Sequence, residues 1–328
     1  MGIVRRTGAF VLLLCLCGIA PAFAQSLKVP FAALSPNYSP LWVADYAGYF
    51  KKYGIDVQPV YISAGSVILP ALLSGQVELA NMGSAPALTA WVRGAEITCV
   101  AVGSVRQLHV VMASPAISRP EDLKGKKIGS DRYGSLSDLL LREALRYYNL
   151  TPDKDVALIQ SGGLPERLGA LKVGAVDGAI LTGDSTIQAE RLGFRPLIDL
   201  SQLPIQYPGS TIIVTRSFLQ SRREVVKRFL RGWIEGIKTV RTDKDLTVRV
   251  LRKFLKTDDR EILGRTFEVY KNAHEKIPYP DARVMALALK QLASTVPQAA
   301  QVKPEDFVDR SLIAELENEG FITGLYAR

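Results

Sequence analysis

Short runs rich in β-formers and bounded by turn residues alternate along most of the chain with runs whose apolar positions recur at helical spacing. Leu27-Lys-Val-Pro-Phe-Ala-Ala33 reads as a strand that stops at the turn formers Ser35-Pro-Asn-Tyr-Ser-Pro40. Trp42, Tyr46, Tyr49 and Tyr53 then recur every three or four residues, which predicts a helix closed by Gly54. Strands are expected at 55–60 and 77–80 with a helix at 67–74 between them. A helix at 85–93 and strands at 98–103 and 109–112 complete a first pass. Strands and helices alternating at these lengths imply a parallel sheet covered on both faces.

The pass is then written a second time. Ala71-Leu-Leu-Ser-Gly-Gln-Val-Glu-Leu-Ala80 and Ala170-Leu-Lys-Val-Gly-Ala-Val-Asp-Gly-Ala179 share the pattern Ala-Leu-x-x-Gly-x-Val-acid-x-Ala, with Gly75 and Gly174 separated by 99 residues. Each glycine falls where a helix would end in the left-handed conformation that glycine adopts cheaply. Helices at 138–148 and 166–172 and strands at 156–160 and 177–181 repeat the earlier order. A spacing this long predicts two related lobes, because solenoid repeats run to roughly 20–50 residues. Ser114 to Pro120 reads as the connection into the second lobe, and Leu203 to Ser210 as the return crossing that delivers a strand at 211–215. The domain reading is therefore 25–112 and 209–328 for the first lobe, with 113–208 for the second. From Arg222 onward the pattern is helical, with Val225, Val226, Phe229, Leu230, Trp233 and Ile237 on one face and basic residues on the other, read as a solvated face.

Composition sets outer limits. Arg5 and Arg6 precede the apolar run 10–20, and Ala22-Phe-Ala24 offers a small-x-small cleavage site, so residues 1–24 read as a secretory signal peptide and the mature chain is expected in the periplasm. Removing the two arginines takes the formal charge from +9 to +7, spread along the sequence. That spread suits an anionic small ligand and gives no nucleic-acid footprint. Only Cys99 remains after cleavage, in an apolar stretch, so no internal disulfide is available and a buried strand residue is expected.

In a doubly wound sheet, ligands bind outside the carboxyl ends of the strands, at converging helix N-termini. The duplication nominates six loops: 35–41, 63–67 and 82–86 in the first lobe, and 131–137, 161–165 and 182–185 in the second. Ser66, Ser84 and Ser135 stand at helix starts, where capping and ligand contact are both open to them. Asp184 either recognises an amine or hydroxyl or caps its helix. Arg106, near the interlobe crossing, either pairs with a ligand anion or decorates a surface hairpin. Catalysis has little to stand on. His109 and His274 have no cysteine or acid at metal spacing, and the nucleophile elbow, Walker loop and dinucleotide fingerprint are missing. No metal and no cofactor is expected.

The stretches Pro40 to Val57, Ala71 to Glu78, Asp122-Leu-Lys-Gly-Lys-Lys-Ile-Gly129 and Ala170 to Ala179 resemble the periplasmic substrate-binding proteins of ABC importers, in the nitrate/sulfonate/taurine group (SsuA/THI5-like, NMT1-like). The resemblance implies an α/β, type II periplasmic-binding-protein fold: two doubly wound lobes, two crossing strands as hinge, and a ligand enclosed when the lobes close. It implies a ligand site on Asn37, Tyr38, Ser66, Ser84, Tyr133 and Ser135, with Asp184 at its margin. A monomer is expected that traps a small polar, anionic organic molecule and passes it to an inner-membrane permease and its ATPase. A sensory module presenting its bound form to a membrane receptor is the alternative. The pyrimidine synthases of the same fold carry a cysteine-rich motif that nothing here matches.

Overall fold

The computed structural model describes residues 26–327, so the signal-peptide reading of 1–24 lies outside the described residues. The first pass contains β1 (Ser26–Phe31), α1 (Ser39–Tyr46), α2 (Tyr49–Lys52), β2 (Asp56–Tyr61), α3 (Gly65–Leu73), β3 (Leu79–Met82), α4 (Ser84–Val92) and β4 (Ile97–Ser104). The second contains β5 (His109–Ala113), β6 (Lys127–Ser130), α5 (Leu136–Tyr147), β7 (Ala157–Gln160), α6 (Leu164–Lys172), β8 (Gly178–Thr182), α7 (Asp184–Arg191) and β9 (Arg195–Asp199). The return strand β10 (Ser210–Thr215) follows. The helices α8 (Arg216–Ser221), α9 (Arg223–Thr242), α10 (Lys244–Leu255), α11 (Arg260–Tyr270), α12 (Ala282–Leu292), α13 (Ser311–Asn318) and α14 (Phe321–Tyr326) complete the described chain.

The strands form two sheets of identical plan, β2-β1-β3-β10-β4 and β7-β6-β8-β5-β9. Each has three parallel strands, then one antiparallel strand beside the third, β10 against β3 and β5 against β8, and a fifth strand antiparallel to that one, β4 and β9. The repeated glycines take φ of 74° at Gly75 and 71° at Gly174, the left-handed values that end α3 and α6. One boundary differs from the sequence reading. The strand at 109–112 was expected to close the first lobe, but it pairs with β8 and β9 of the second sheet. The chain therefore crosses at 105–108, and the two antiparallel strands are those that follow a crossing. A second difference is local: the helix expected from Trp42 to Gly54 is two helices, broken where Gly48 adopts φ 74°.

The C-terminal helices pack on the first sheet. α9 buries Val226, Phe229, Leu230, Trp233 and Ile237. It lies so close to α1 that a Cβ on Gly236 would stand 2.1 Å from the Pro40 carbonyl oxygen. Its basic face is engaged: Lys227 pairs with Glu315 (3.0 Å) and Glu319 (2.6 Å), and Arg231 with Glu319 (2.6 Å). No helix among the described residues is long and apolar enough to cross a membrane.

Candidate functional site

Because both sheets are wound alike, the carboxyl ends of their parallel strands, and the helix starts that follow, face one another. A cavity lies between them. From the first lobe it is lined by Ala32, Ala33, Ser35, Asn37 and Tyr38 after β1, Gly65 after β2, and Gly83 and Pro86 after β3. From the second it is lined by Asp131, Ser135, Leu136 and Ser137 after β6, Leu164 and Arg167 after β7, and Thr182 at the end of β8. His109, the first residue of β5, and Gly209, on the return crossing, complete the wall.

Two charges sit in this wall. Arg167 is buried, with Nη1 donating to the Ile180 carbonyl (2.6 Å) and Nε to that of Gly163 (3.3 Å); it makes no salt bridge among the described residues. Burial pulls its pKa down, and the nearby charges of Asp131, Tyr61 and Glu166 act the other way. Asp131 is also buried; desolvation raises its pKa, and Arg167 opposes the rise. Its Oδ1 accepts from the Arg132 amide (2.9 Å) and from Ser63 Oγ of the other lobe (3.3 Å). Burial pushes the Tyr38 hydroxyl up, and the Asp131 charge adds to this. His109 is held neutral, lowered to about 3 by burial and by Arg167, and its Nδ1 has no partner. Behind the first lobe's wall, His274 Nε2–H donates to the Asn37 carbonyl (2.9 Å), which fixes that tautomer. The ring is lowered to about 4, chiefly by burial.

The lobes are closed on one another. Gly83 meets Leu136 so tightly that a Cβ would lie 2.6 Å from Leu136 Cδ2, and Gly183 packs as closely on Pro36. What remains between them is a cavity of about 30 Å³, room for roughly two water molecules. A larger solute enters only if the lobes part or the side chains swing.

The candidate residues divide. Asn37, Tyr38 and Ser135 line the cavity. Asn37 Oδ1 is buried without a partner, and Ser135 both faces the cavity and caps α5 through the Asp138 amide (3.3 Å). Ser66 and Ser84 each follow a lining glycine, and both hydroxyls are buried and unpartnered. The remaining three lie elsewhere. Tyr133 is half-exposed at the sheet edge, its hydroxyl on the Leu158 carbonyl (3.3 Å) and its ring under Arg142. Asp184 faces an outer depression beside α6 and the start of α11, with Oδ2 accepting from Gln188 (2.9 Å). Arg106 is exposed on the crossing and lines a separate cavity.

Arg167, Asp131 and His109 were not singled out as ligand groups. For Arg167 a signal existed. The 99-residue offset that aligns Gly75 with Gly174 also aligns Ile68 with Arg167, a core position that is fully buried in the first lobe.

Two closed lobes of identical winding, with a polar cavity at their facing strand ends, define the type II periplasmic-binding-protein fold. A family model described as NMT1/THI5 like matches residues 35–245, and the chain belongs to that family. YtlA of Bacillus subtilis strain 168 is 23% identical over 265 residues, covering 77% of this chain and 78% of that one. The taurine-binding periplasmic protein of Escherichia coli K12 is 28% identical over 219 residues, 65% of this chain and 66% of that one. Among solved structures, the alkanesulfonate-binding protein SsuA from Xanthomonas axonopodis pv. citri, bound to MOPS, superposes with a TM-score of 0.75 at 18% identity, covering 87% of this chain and 98% of that one.

Proposed function

We propose that the protein is a periplasmic solute receptor that closes its two lobes on a small polar molecule carrying an anionic group and delivers it to an ABC permease. The observation that carries this is Arg167. It is a buried guanidinium in the wall of the interlobe cavity without a salt bridge among the described residues, and a carboxylate or sulfonate is the group that would complete it. The hydroxyls of Ser66, Ser84 and Ser135, the Asn37 side chain and the starts of α3, α4, α5 and α6 supply further donors. Asp131 gives the site a second, opposite charge, so a ligand with a donor beside its anionic group fits better than a bare anion. The family relatives that bind taurine and alkanesulfonates support the same ligand class. Cys99 lends no support to a catalytic reading, because it is fully buried and burial pushes its thiol pKa up.

Ligand contact with both lobes stabilises the closed state through differential affinity. Thermal unfolding against taurine, alkanesulfonates, nitrate, amino acids and aromatic acids tests the reading. A solute at 100 times its Kd adds about 2.7 kcal/mol, and at the same concentration that shift is expected to fall to about a third or less in Arg167→Met. A shift undiminished in Arg167→Met removes the guanidinium from the site.

A further inference from the structure

The hydrogen bonds of the two crossings locate the hinge. On the return crossing, Gln291 of α12 brackets 204–206: its Nε2 donates to the Pro204 carbonyl (2.8 Å) and its Oε1 accepts from the Gln206 amide (3.2 Å). The Ser84 amide donates to the Pro208 carbonyl and the Gly209 amide to the Ser104 carbonyl, both at 2.9 Å. From Pro204 onward the chain is therefore tied to the first lobe. On the outgoing crossing the Leu108 carbonyl accepts from Thr182 Oγ1 of the second lobe (3.1 Å), and Gln107 Nε2 donates across to the Tyr207 carbonyl. The bends fall at 105–108 and 203–204.

One buried side chain joins the lobes beside these bends. Tyr270, the last residue of α11, donates its hydroxyl to Thr182 Oγ1 (2.6 Å), and Thr182 in turn donates to Leu108. α11 sits with the first lobe: it packs on α10, which packs on α1, and His274 just beyond it holds the Asn37 carbonyl. Thr182 ends β8 of the second lobe and lines the cleft. Both partners are 2% exposed, and the next residue, Gly183, is the one packed on Pro36. Other polar contacts between the lobes, such as Ser63 with Asp131 and Arg265 with Glu190, are only part-buried or are exposed.

We infer that Tyr270 is the latch of this hinge, a positioning residue whose hydroxyl, acting through Thr182, holds the lobes closed before any solute arrives. The inference rests on the receptor reading only in taking the lobes to part. Rotation about 105–108 moves Thr182, with Leu108 and β8, relative to α11, and a hydroxyl hydrogen bond is lost outside about 2.5–3.0 Å. Opening gives both hydroxyls to water, so the bond contributes its net value, a factor of about two to ten in the closing equilibrium. Tyr270→Phe removes that bond and leaves Thr182 its Leu108 carbonyl. Ser35, which also lies within reach of the Tyr270 hydroxyl, keeps the Asn37 amide.

Amide hydrogen exchange of the purified protein without solute, read by mass spectrometry, tests this. Segments 83–86 and 135–138 lie in the wall of the closed cleft, and β4 is buried throughout as an internal control. Both wall segments are expected to exchange about two- to tenfold faster in Tyr270→Phe, with β4 unchanged. Thr182→Val is expected to give at least the same acceleration, and Tyr270→Phe added to it no more, because the two changes remove one bond. Wall exchange unchanged in Tyr270→Phe overturns the latch. Acceleration that extends to β4 overturns it too, by making Tyr270 a support of the fold. So does wall exchange in the parent as fast as in an unfolded chain, which would mean that the lobes stand open without solute. A flat solute panel beside accelerated wall exchange would retire the receptor reading and keep the latch; a solute that binds while wall exchange stays unchanged would do the reverse.

Discussion

The two lobes share one winding and divide the chemistry of the cleft unequally. Every first-lobe residue that lines the cavity is uncharged, whereas the second lobe supplies the charges of Arg167 and Asp131, with the neutral ring of His109 beside them. Ile68 and Arg167 hold the same place in the repeat and are both buried, one in the core of its lobe and one at the cleft wall. Duplication has fixed the scaffold, and the difference between the copies has made the site. The first lobe offers shape and neutral donors; the second offers the field that selects charge.

Replacing Arg167 with methionine makes the second copy resemble the first and carries the largest expected effect. Removing one partner of a buried charge-assisted contact costs about 2–5 kcal/mol in binding, so the solute identified by the unfolding panel is expected to lose at least about thirtyfold in affinity by calorimetry. The variant also takes N–H donors from the Ile180 and Gly163 carbonyls, a loss of about 1–3 kcal/mol for a buried group left unpaired, so a lower melting temperature is expected and the affinity is measured well below it. An affinity within a factor of a few of the parent's would show that the asymmetry of charge is incidental.

Gly83 and Leu136 test whether the lobes must meet as closely as they do. Gly83 has φ of −69°, which any residue tolerates, so Gly83→Val acts as a wedge between lobes without straining the chain. Overpacking of this kind costs about 1–3 kcal/mol. Here it is expected to fall on closure: a larger radius of gyration by small-angle scattering, weaker solute binding, and unchanged secondary structure. Leu136→Ala in the same chain is expected to restore both. Failure of the second change to rescue would place the damage within the first lobe.

The two histidines probe the lobes by pH. Both are held neutral, His109 lowered to about 3 in the second sheet and His274 to about 4 behind Asn37 of the first lobe, against an ordinary value near 6.5. Between these values the unfolded chain binds more protons than the native one, so stability rises with pH across that window and is lost as pH falls below about 6.5. Each ring contributes a slope of about 1.4 kcal/mol per pH unit. Asp184 acts in the opposite sense. Burial raises it to about 6, so its contribution favours the native state as pH falls from about 6 toward the ordinary carboxylate range. Denaturant unfolding between pH 4 and 7 is expected to show a slope shallower by about one histidine in His109→Gln. An unaltered slope would mean that the ring is already charged or solvated in the native state.

Much of this organisation was legible in the sequence, because the Ala-Leu-x-x-Gly-x-Val-acid pattern and its left-handed glycines are local signals that survive duplication. The strand at 109–112 was misplaced because periodicity identifies a strand and says nothing of which sheet it joins. The cavity was legible at the level of loops, from strand-end geometry; within those loops Asn37 and Tyr38 were picked out by the family resemblance, and Ser135 by that and by its place at a helix start. Arg167 was hidden because Leu-Pro-Glu-Arg-Leu reads as an ordinary helix start with solvated charges. Its burial comes from tertiary packing behind the cleft, and only the comparison with Ile68 exposes it. Arg106, Tyr133 and Asp184 have the right chemistry on the right connections, but their side chains lie on the outer edge or on the hinge side of the cleft.

The rim of closure carries the smallest expected effect. Arg191 at the end of α7 pairs with Asp259, and with Glu261 at 2.6 Å, both at the start of α11. These groups are a third or more exposed, and such pairs contribute about 0.2–1 kcal/mol, screened by salt. Because they join the second lobe to helices that pack on the first, their energy enters the closing equilibrium as well as the fold. Arg191→Gln is expected to weaken solute binding by less than about fivefold at low ionic strength, with the difference from the parent disappearing at high salt. Calorimetry at two salt concentrations reads this directly. A loss that persists at high salt would mean that the arginine shapes the closed lobes through packing, and that the charges bridging the rim do more than trim a closure set by Gly83, Gly183 and the ligand.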